Sequence, residues 1–318
     1  MTVQPSESHF ESKNMLWLEV TNFCNLACTH CYNASGPAEP LEPAVSTEQY
    51  REILRETRDM GFRRIQFIGG EPLFYPHLKT LVDQALALGF DEIEIFSNLT
   101  TLPAWLFEEP YRSLKIATSL YSDDSKVHDK ISATKGSFDR TVASLKRLVA
   151  AGFAIRAGFI EMGANKGQFE RTREFLKSIG VDEVGYDAVR EFGRADQNAG
   201  ARMEGLCGHC SQGNLCIDVN GNVSGCIMSK PWAFGNVRSS SLRELFDSDD
   251  RRKFAHDLRE IVRQRDPFAP TLCNPYYQGN CAPQCAPSCG PQQSCNPCSP
   301  LGSGPCNPNG RCSPYDKK

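Results

Sequence analysis

No run of this chain approaches the roughly 20 apolar residues that a membrane-crossing helix needs. Charge of one sign is also missing: 35 basic residues face 38 acidic ones along the sequence, for a net of −3. The first absence excludes a helical membrane protein, and the second leaves no basic surface for nucleic acid or an anionic membrane. The amino terminus, MTVQPSESHFESKN, is polar and acidic, without the basic start and apolar stretch of an export signal. The 15 cysteines are therefore not those of a small secreted domain. Three fall in one early loop and twelve after residue 206. In a reducing cytoplasm that distribution reads as metal ligation, with disulfides in the tail as the alternative. Large aliphatic residues are absent from the last stretch, which from Cys273 has only Leu301. Such a segment cannot build its own core.

What is present is concentrated first in TNFCNLACTHCY. Cys24, Cys28 and Cys31 have three and then two residues between them, just after an apolar strand, and Tyr32 follows. A 4Fe–4S cube normally takes four thiolates. A tight loop supplying three leaves one iron open to a small molecule, the arrangement that lets S-adenosylmethionine (SAM) chelate the cluster and be cleaved by one electron. Zinc sites more often show paired CxxC groups with a complete ligand set nearby. A zinc site and a set of buried thiols are the alternatives.

Between residues 15 and 195 apolar runs alternate with amphipathic segments. Strands are expected at 16–20, 64–69, 92–97, 114–120, 155–160 and 182–188, and helices at about 47–60, 76–88, 102–109, 137–151 and 167–179. Ser46 with Gln49 forms a capping box, and Pro76 suits a first helical position. Gly61-Phe62, Gly89-Phe90, Gly152-Phe153 and Gly180-Val181 end successive helices, each glycine able to take a left-handed cap. Short connections and strands read as continuously apolar predict an α/β fold with a parallel sheet covered by helices. Six strands suit a partial (β/α)6 barrel, with the ligand at their carboxyl ends. Gly69-Gly70-Glu71-Pro72, Ser97-Asn98 and Ser119 fall there, beside the cysteine loop. Adjacent glycines let a backbone approach a ligand, and a carboxylate can hold an amine.

CNLACTHCY together with GGEP on this scaffold resembles the radical S-adenosylmethionine superfamily over roughly residues 15–195. The resemblance implies that Cys24, Cys28 and Cys31 bind the cluster and that Tyr32 lies near the adenine. It gives Gly69, Gly70 and Glu71 to the methionine amine, and Ser97, Asn98 and Ser119 to the ribose. Arg140 is a candidate for the carboxylate, or else a solvated charge. The fifth strand and Asn165 would meet adenine, and Arg190 and Arg194 resemble residues near the cofactor. The family implies reductive cleavage to methionine and a 5′-deoxyadenosyl radical that abstracts a hydrogen atom, with the electron from a donor such as flavodoxin or ferredoxin.

From Cys207 the sequence changes. IDVNGNV reads as a hairpin with an Asn-Gly turn, and a charged helix follows to about residue 264. The Gly221-to-Cys226 gap and the trailing Gly235-Asn236-Val237 resemble the SPASM extension, which carries auxiliary iron–sulfur clusters. That implies a small, Cys-rich, irregular metal-binding domain over 196–299, between the core and a Cys/Pro-rich tail at 300–318. Residues 1–14 would be an amino-terminal tail. Candidate ligands are Cys207, Cys210, Cys226, Cys273, Cys281, Cys285, Cys289, Cys295 and Cys298. The tail intervals run in nearly reversed order from the usual pattern. The expectation is one auxiliary 4Fe–4S cluster on Cys210, Cys226 and two tail thiols, with a second one open. Cys216 fits a buried hydrophobe as well as a ligand. His209 fits a turn better than a metal site.

SPASM-type enzymes commonly modify ribosomally made peptides, and that is the expected function. Only 23 residues precede Cys24, so leader recognition would fall to a separate binding protein or to the core's own surface. A radical dehydrogenase, epimerase or decarboxylase for a sugar-like small molecule is the alternative. A plain iron–sulfur electron carrier is opposed by the GGEP turn. Asp187 is the candidate acid–base group, though bracing suits it too. Tyr121 and His128 are expected in surface loop. The protein is expected in the cytoplasm.

Overall fold

The computed structural model describes residues 15–196, 200–210 and 212–265. Six parallel strands form where the apolar runs predict them: β1 Met15–Glu19, β2 Arg64–Ile68, β3 Glu92–Phe96, β4 Lys115–Ser119, β5 Ala154–Glu161 and β6 Glu183–Ala188. Between them run α1 Thr47–Asp59, α2 Leu78–Ala87, α3 Ser125–Ser132, α4 Ser137–Ala150 and α5 Phe169–Ser178. The later hairpin is β7 Leu215–Ile217 with β8 Val223–Ser224, followed by α6 Leu242–Phe246 and α7 Asp249–Arg265.

Local chemistry sets the element ends. Ser46 and Gln49 complete the capping box of α1, whose buried Tyr50, Ile53, Leu54 and Thr57 lie on one face. Gly61, Gly89, Gly152 and Gly180 all have positive φ, from 71° to 94°, as the recurring stop signal requires. Pro76 lies outside α2, which begins at Leu78, and the stretch 102–109 forms only a 3-10 turn, Ala104–Phe107. The sequence reading missed α3. It starts where the Asp124 side chain accepts from Lys126 N, and it buries His128 and Ile131.

The strands are not apolar throughout, as the sequence reading took them to be. Leu16, Leu18, Ile65, Phe67, Ile93 and Ile95 pack into the main core. The alternate positions carry Gln66, Glu94 and Arg156. Buried Glu94 accepts both Arg156 Nε and Nη2 at 2.7 Å and also bonds Gln66. Helices cover one face of the sheet, and the concave face is polar, as a barrel that admits a polar ligand requires.

The order is β6-β5-β4-β3-β2-β1-β7-β8. The SPASM-like hairpin therefore continues the sheet, with β7 parallel to β1 through Leu16↔Leu215 and Leu18↔Ile217. Leu215, Ile217 and Val223 join the main core. A second, small core gathers Phe192, Leu206, Cys210, Phe254 and Leu258 under α7. No helix among the described residues is long and apolar enough to cross a membrane.

Candidate active site

Loops from the carboxyl ends of β1 to β4 meet above the sheet. The cysteine loop closes on itself through Cys24 N to Gly36 O at 3.2 Å, and α3 holds it from the side. Ala27 N and Thr29 N donate to the last carbonyls of that helix, Ser132 O and Ile131 O, at 3.3 and 2.9 Å. Arg194 fastens the other flank, with Nε on Cys28 O at 2.8 Å, Nη2 on Ser35 O at 2.7 Å and its own N–H on Cys31 O at 2.9 Å. Gly193 makes this possible: at φ 56°, a Cβ there would sit 2.3 Å from both Cys31 O and Tyr32 O. Arg194 thus lies beside the site, as the resemblance implies, and supports the loop.

Burial pushes the Cys24 thiol up to about 12, with Glu71 and then the other two cysteines adding to it. Burial, followed by the charge of Cys31, pushes Cys28 up to about 11. Such thiols keep their protons unless a cationic centre replaces them, as iron ligation does. Three thiols gathered in one part-buried loop therefore fit a cluster.

The GGEP turn packs against the segment leading into this loop. Gly70 N donates to Thr21 O and Glu71 N to Phe23 O, both at 2.7 Å. A Cβ at Gly69 would stand 2.4 Å from Thr21 O, and one at Gly70 would stand 2.1 Å from Phe23 O. The glycines thus serve a backbone–backbone approach. Glu71 is buried, and burial lifts its carboxyl to about 7. Its oxygens accept from Leu73 N at 3.1 Å and from Asn98 N at 2.7 Å. The side chain expected to hold an amine is bonded into the loops that frame the site.

Ser97 is buried and accepts from Leu99 N. The Asn98 amide donates to Asn25 Oδ1 at 2.8 Å and reaches Cys24 Sγ at 3.7 Å, tying the β3 loop to the cluster loop. Ser119 ends β4, and its hydroxyl and the Cys28 thiol both interact with the Tyr121 phenol. Tyr121 and His128 correct the surface-loop expectation: both are buried, and their rings stack at 5.2 Å. Asn165 is fully buried and spends its side chain on Tyr121 O, Ile160 O and Met162 N.

Tyr32 points its hydroxyl down the barrel to Glu19 Oε1 at 3.3 Å. His30, which sequence reasoning did not single out, has its ring 4.7 Å edge-on to Tyr121, and its Nδ1 is buried without a partner. Burial, helped by Arg194, lowers His30 to about 4, so it is a neutral imidazole at pH 7. Its place between Cys28 and Cys31 was the available signal. Arg140 lies exposed on α4, where its Nη1 donates to Lys135 O at 3.4 Å. Asp187, near the end of β6, pairs with Arg190 just past it at 2.8 Å.

The second cysteine group forms under α7. Cys210 Sγ lies 2.9 Å from Cys226 Sγ. Cys207 also meets Cys210, and the Cys210 hydrogen bond draws it down to about 5, with Arg190 contributing charge. The expected Cys210–Cys226 pairing, with Cys207, is thus assembled from segments 16 residues apart. Cys216 sits fully buried on β7, opposite Trp17 in the parallel register, and His209 lies in a turn with Gln212. Cys273, Cys281, Cys285, Cys289, Cys295 and Cys298 lie outside the described residues.

Comparison with known proteins agrees with this geometry. The radical SAM superfamily profile matches residues 18–178, and an iron–sulfur cluster-binding domain, SPASM, matches 190–286. The subtilosin biosynthesis protein AlbA of Bacillus subtilis is 29% identical over 55% of this chain and 39% of its own length. Mycofactocin maturase MftC of Mycobacterium tuberculosis is 34% identical over 48% of this chain and 38% of its own. The chain thus spans under two fifths of these relatives. Streptococcus suis SuiB, in a structure bound to precursor peptide SuiA, superposes with a TM-score of 0.60 at 16% identity, covering 77% of this chain and 66% of that one. The structure of anSMEcpe with bound AdoMet and Cp18Cys peptide gives 0.59 at 11% identity, covering 77% and 83%. At such identities these two likenesses speak for the fold. The first domain implies a 4Fe–4S cluster with SAM, and the second implies auxiliary iron–sulfur clusters. The chain belongs to the radical SAM superfamily and carries a SPASM domain.

Proposed function

We propose that this chain modifies a ribosomally synthesised peptide. The bound cluster and SAM would together supply a 5′-deoxyadenosyl radical that abstracts a hydrogen atom from that substrate. The observation that carries this reading is the pair of cysteine groups, one in the part-buried loop after β1 and one under α7, in a chain whose β7 hairpin continues the sheet at β1. The roles of AlbA in subtilosin biosynthesis and of MftC as a mycofactocin maturase support the substrate class.

Within this reading Cys24, Cys28 and Cys31 hold the cluster, and Arg194 and the carbonyls of α3 fix their loop. The backbone of Gly69 and Gly70 faces the methionine amine, because the Glu71 carboxylate is already engaged by Leu73 and Asn98. Asn98 and Ser119 serve the ribose, with Ser97 shaping their loop. Tyr32 lies near the adenine, as does the His30 imidazole two residues before it. Asp187, paired with Arg190, is the candidate acid–base group. Arg140 has no part. Cys207, Cys210 and Cys226 with tail thiols hold an auxiliary cluster. A flavodoxin- or ferredoxin-type donor supplies the electron.

The test is anaerobic reconstitution followed by incubation with SAM and dithionite. Iron above four per chain and 5′-deoxyadenosine formation are expected, with the latter lost in C28A. Iron of four or fewer removes the auxiliary cluster, and cleavage retained in C28A removes the assigned site. A precursor peptide that gains or loses hydrogen by mass, against none on sugar-like substrates, decides the substrate class.

A further inference from the structure

Between the two cysteine groups lies a buried polar knot that neither uses directly. Glu19, at the carboxyl end of β1, is fully buried. Lys230 Nζ enters from the SPASM side and meets Glu19 Oε2 at 2.9 Å and Oε1 at 3.1 Å. The same ammonium bonds Asn33 Oδ1, two residues past Cys31, and lies 5.6 Å from the Tyr32 ring centroid. The Tyr32 hydroxyl closes the knot on Glu19. On the other side, Lys230 follows a tight turn around the ligand Cys226, in which Cys226 N donates to Ser229 Oγ at 2.8 Å and Ser229 N to Cys226 O at 3.1 Å. Two residues of chain, the Lys230–Asn33 bond and the Cys226–Ser229 turn thus link Cys31 to Cys226.

We propose that Lys230 is a positioning residue that couples the two cysteine groups, holding the turn of Cys226 against the loop of Cys31 through Glu19 and Asn33. A lysine inserted across a domain seam needs a stronger reason than stability, because a buried pair is often replaceable by apolar side chains without loss of stability. Its three donors match three acceptors: two oxygens of Glu19 and one of Asn33. Both acceptors belong to the segment that carries the SAM-site cysteines, and the lysine belongs to the segment that carries the auxiliary ones. Whatever displaces one group is therefore felt by the other. The inference rests on reading both groups as cluster ligands.

The experiment is a double-mutant cycle on the full reconstituted chain, with K230M, C226S and K230M/C226S. The readouts are the rate at which a chelator strips iron from the SAM-binding site and the change in its reduced electron-spin resonance signal when SAM is added. C226S alone should speed iron loss at the SAM site by about 10- to 100-fold, the usual range for an outer-shell change. K230M should do the same, and the double variant should be no faster than either one. E19Q/K230M, which removes the charge imbalance, should recover the thermal midpoint but keep the fast loss; a purely stabilising lysine would recover both. Additive rates, or a C226S variant whose SAM site keeps its iron at the wild-type rate, overturn the coupling. Should the wild type assemble no cluster, the cofactor reading fails. Alkylation of Cys31 in the metal-free K230M protein then decides the coupling: labelling about tenfold faster than wild type supports it, and an equal rate refutes it.

Discussion

Replacing Gly70 by alanine tests whether the GGEP turn is built for contact with the cysteine loop. The new Cβ would lie 2.1 Å from Phe23 O, 2.6 Å from Phe23 C and 2.7 Å from Asn22 O. All three are backbone atoms, so no rotamer change relieves the overlap. Relief requires the turn and the loop to part by about 1 Å, as real carbon–oxygen contacts begin near 3 Å. That movement breaks the hydrogen bonds from Gly70 N to Thr21 O and from Glu71 N to Phe23 O. Two such bonds contribute about 1–3 kcal/mol together, and overpacking adds about 1–3 kcal/mol. The sum, about 2–6 kcal/mol, corresponds to a fall in melting temperature of order 5–15 °C for a domain of this size. Gly163→Ala is the control, since nothing lies within 4 Å of its added Cβ. Thermal unfolding of the two variants side by side decides the point. G70A melting within 1 °C of G163A would refute the steric argument, and G70A should also retain less iron, because Cys24 follows the displaced segment directly.

The Glu71 carboxyl, lifted by burial from 4.5 to about 7, makes stability depend on pH. Its folded-state pKa lies above the unfolded one, so the contribution is fully present below pH 4.5 and is lost as pH rises through about 7, by roughly 3 kcal/mol. Glu71→Gln should remove that slope, and denaturant midpoints of the pair between pH 4.5 and 8 check it; parallel profiles would count against the buried carboxyl. Ile217→Ala should cost about 2–5 kcal/mol, because the side chain is fully buried in the main core. It should do so in the same transition that unfolds β1, to which β7 is paired. A separate early transition confined to the hairpin, followed by hydrogen exchange, would contradict a continuous sheet.

The barrel was legible because its signals are local. Six apolar runs and four glycine stops lie within a few residues of what they control, and three cysteines in eight positions need no tertiary partner to be noticed. Where reading failed, the deciding interaction was distant or hidden by averaging. Gln66, Glu94 and Arg156 are charged or polar positions inside runs that look apolar overall, and their alternation has meaning only once β2, β3 and β5 curve toward one another. Tyr121 and His128 resemble loop residues until the short helix α3 stacks His128 on Tyr121, whose ring in turn meets His30.

The amino-acid order was enough to place the cluster loop, the strand ends that surround it and the second cysteine-rich region, since spacing and periodicity are properties of adjacent residues. Chain folding over long separations settled the rest. It decided that Glu71 turns to the backbone, that Arg194 crosses from residue 194 to clamp Cys28, and that Lys230 reaches Glu19 over 211 positions. It also brought the hairpin to β1. No pattern in a linear sequence says which distant hydrogen-bond donor will satisfy a buried acceptor, because that pairing exists only once packing has excluded water from both.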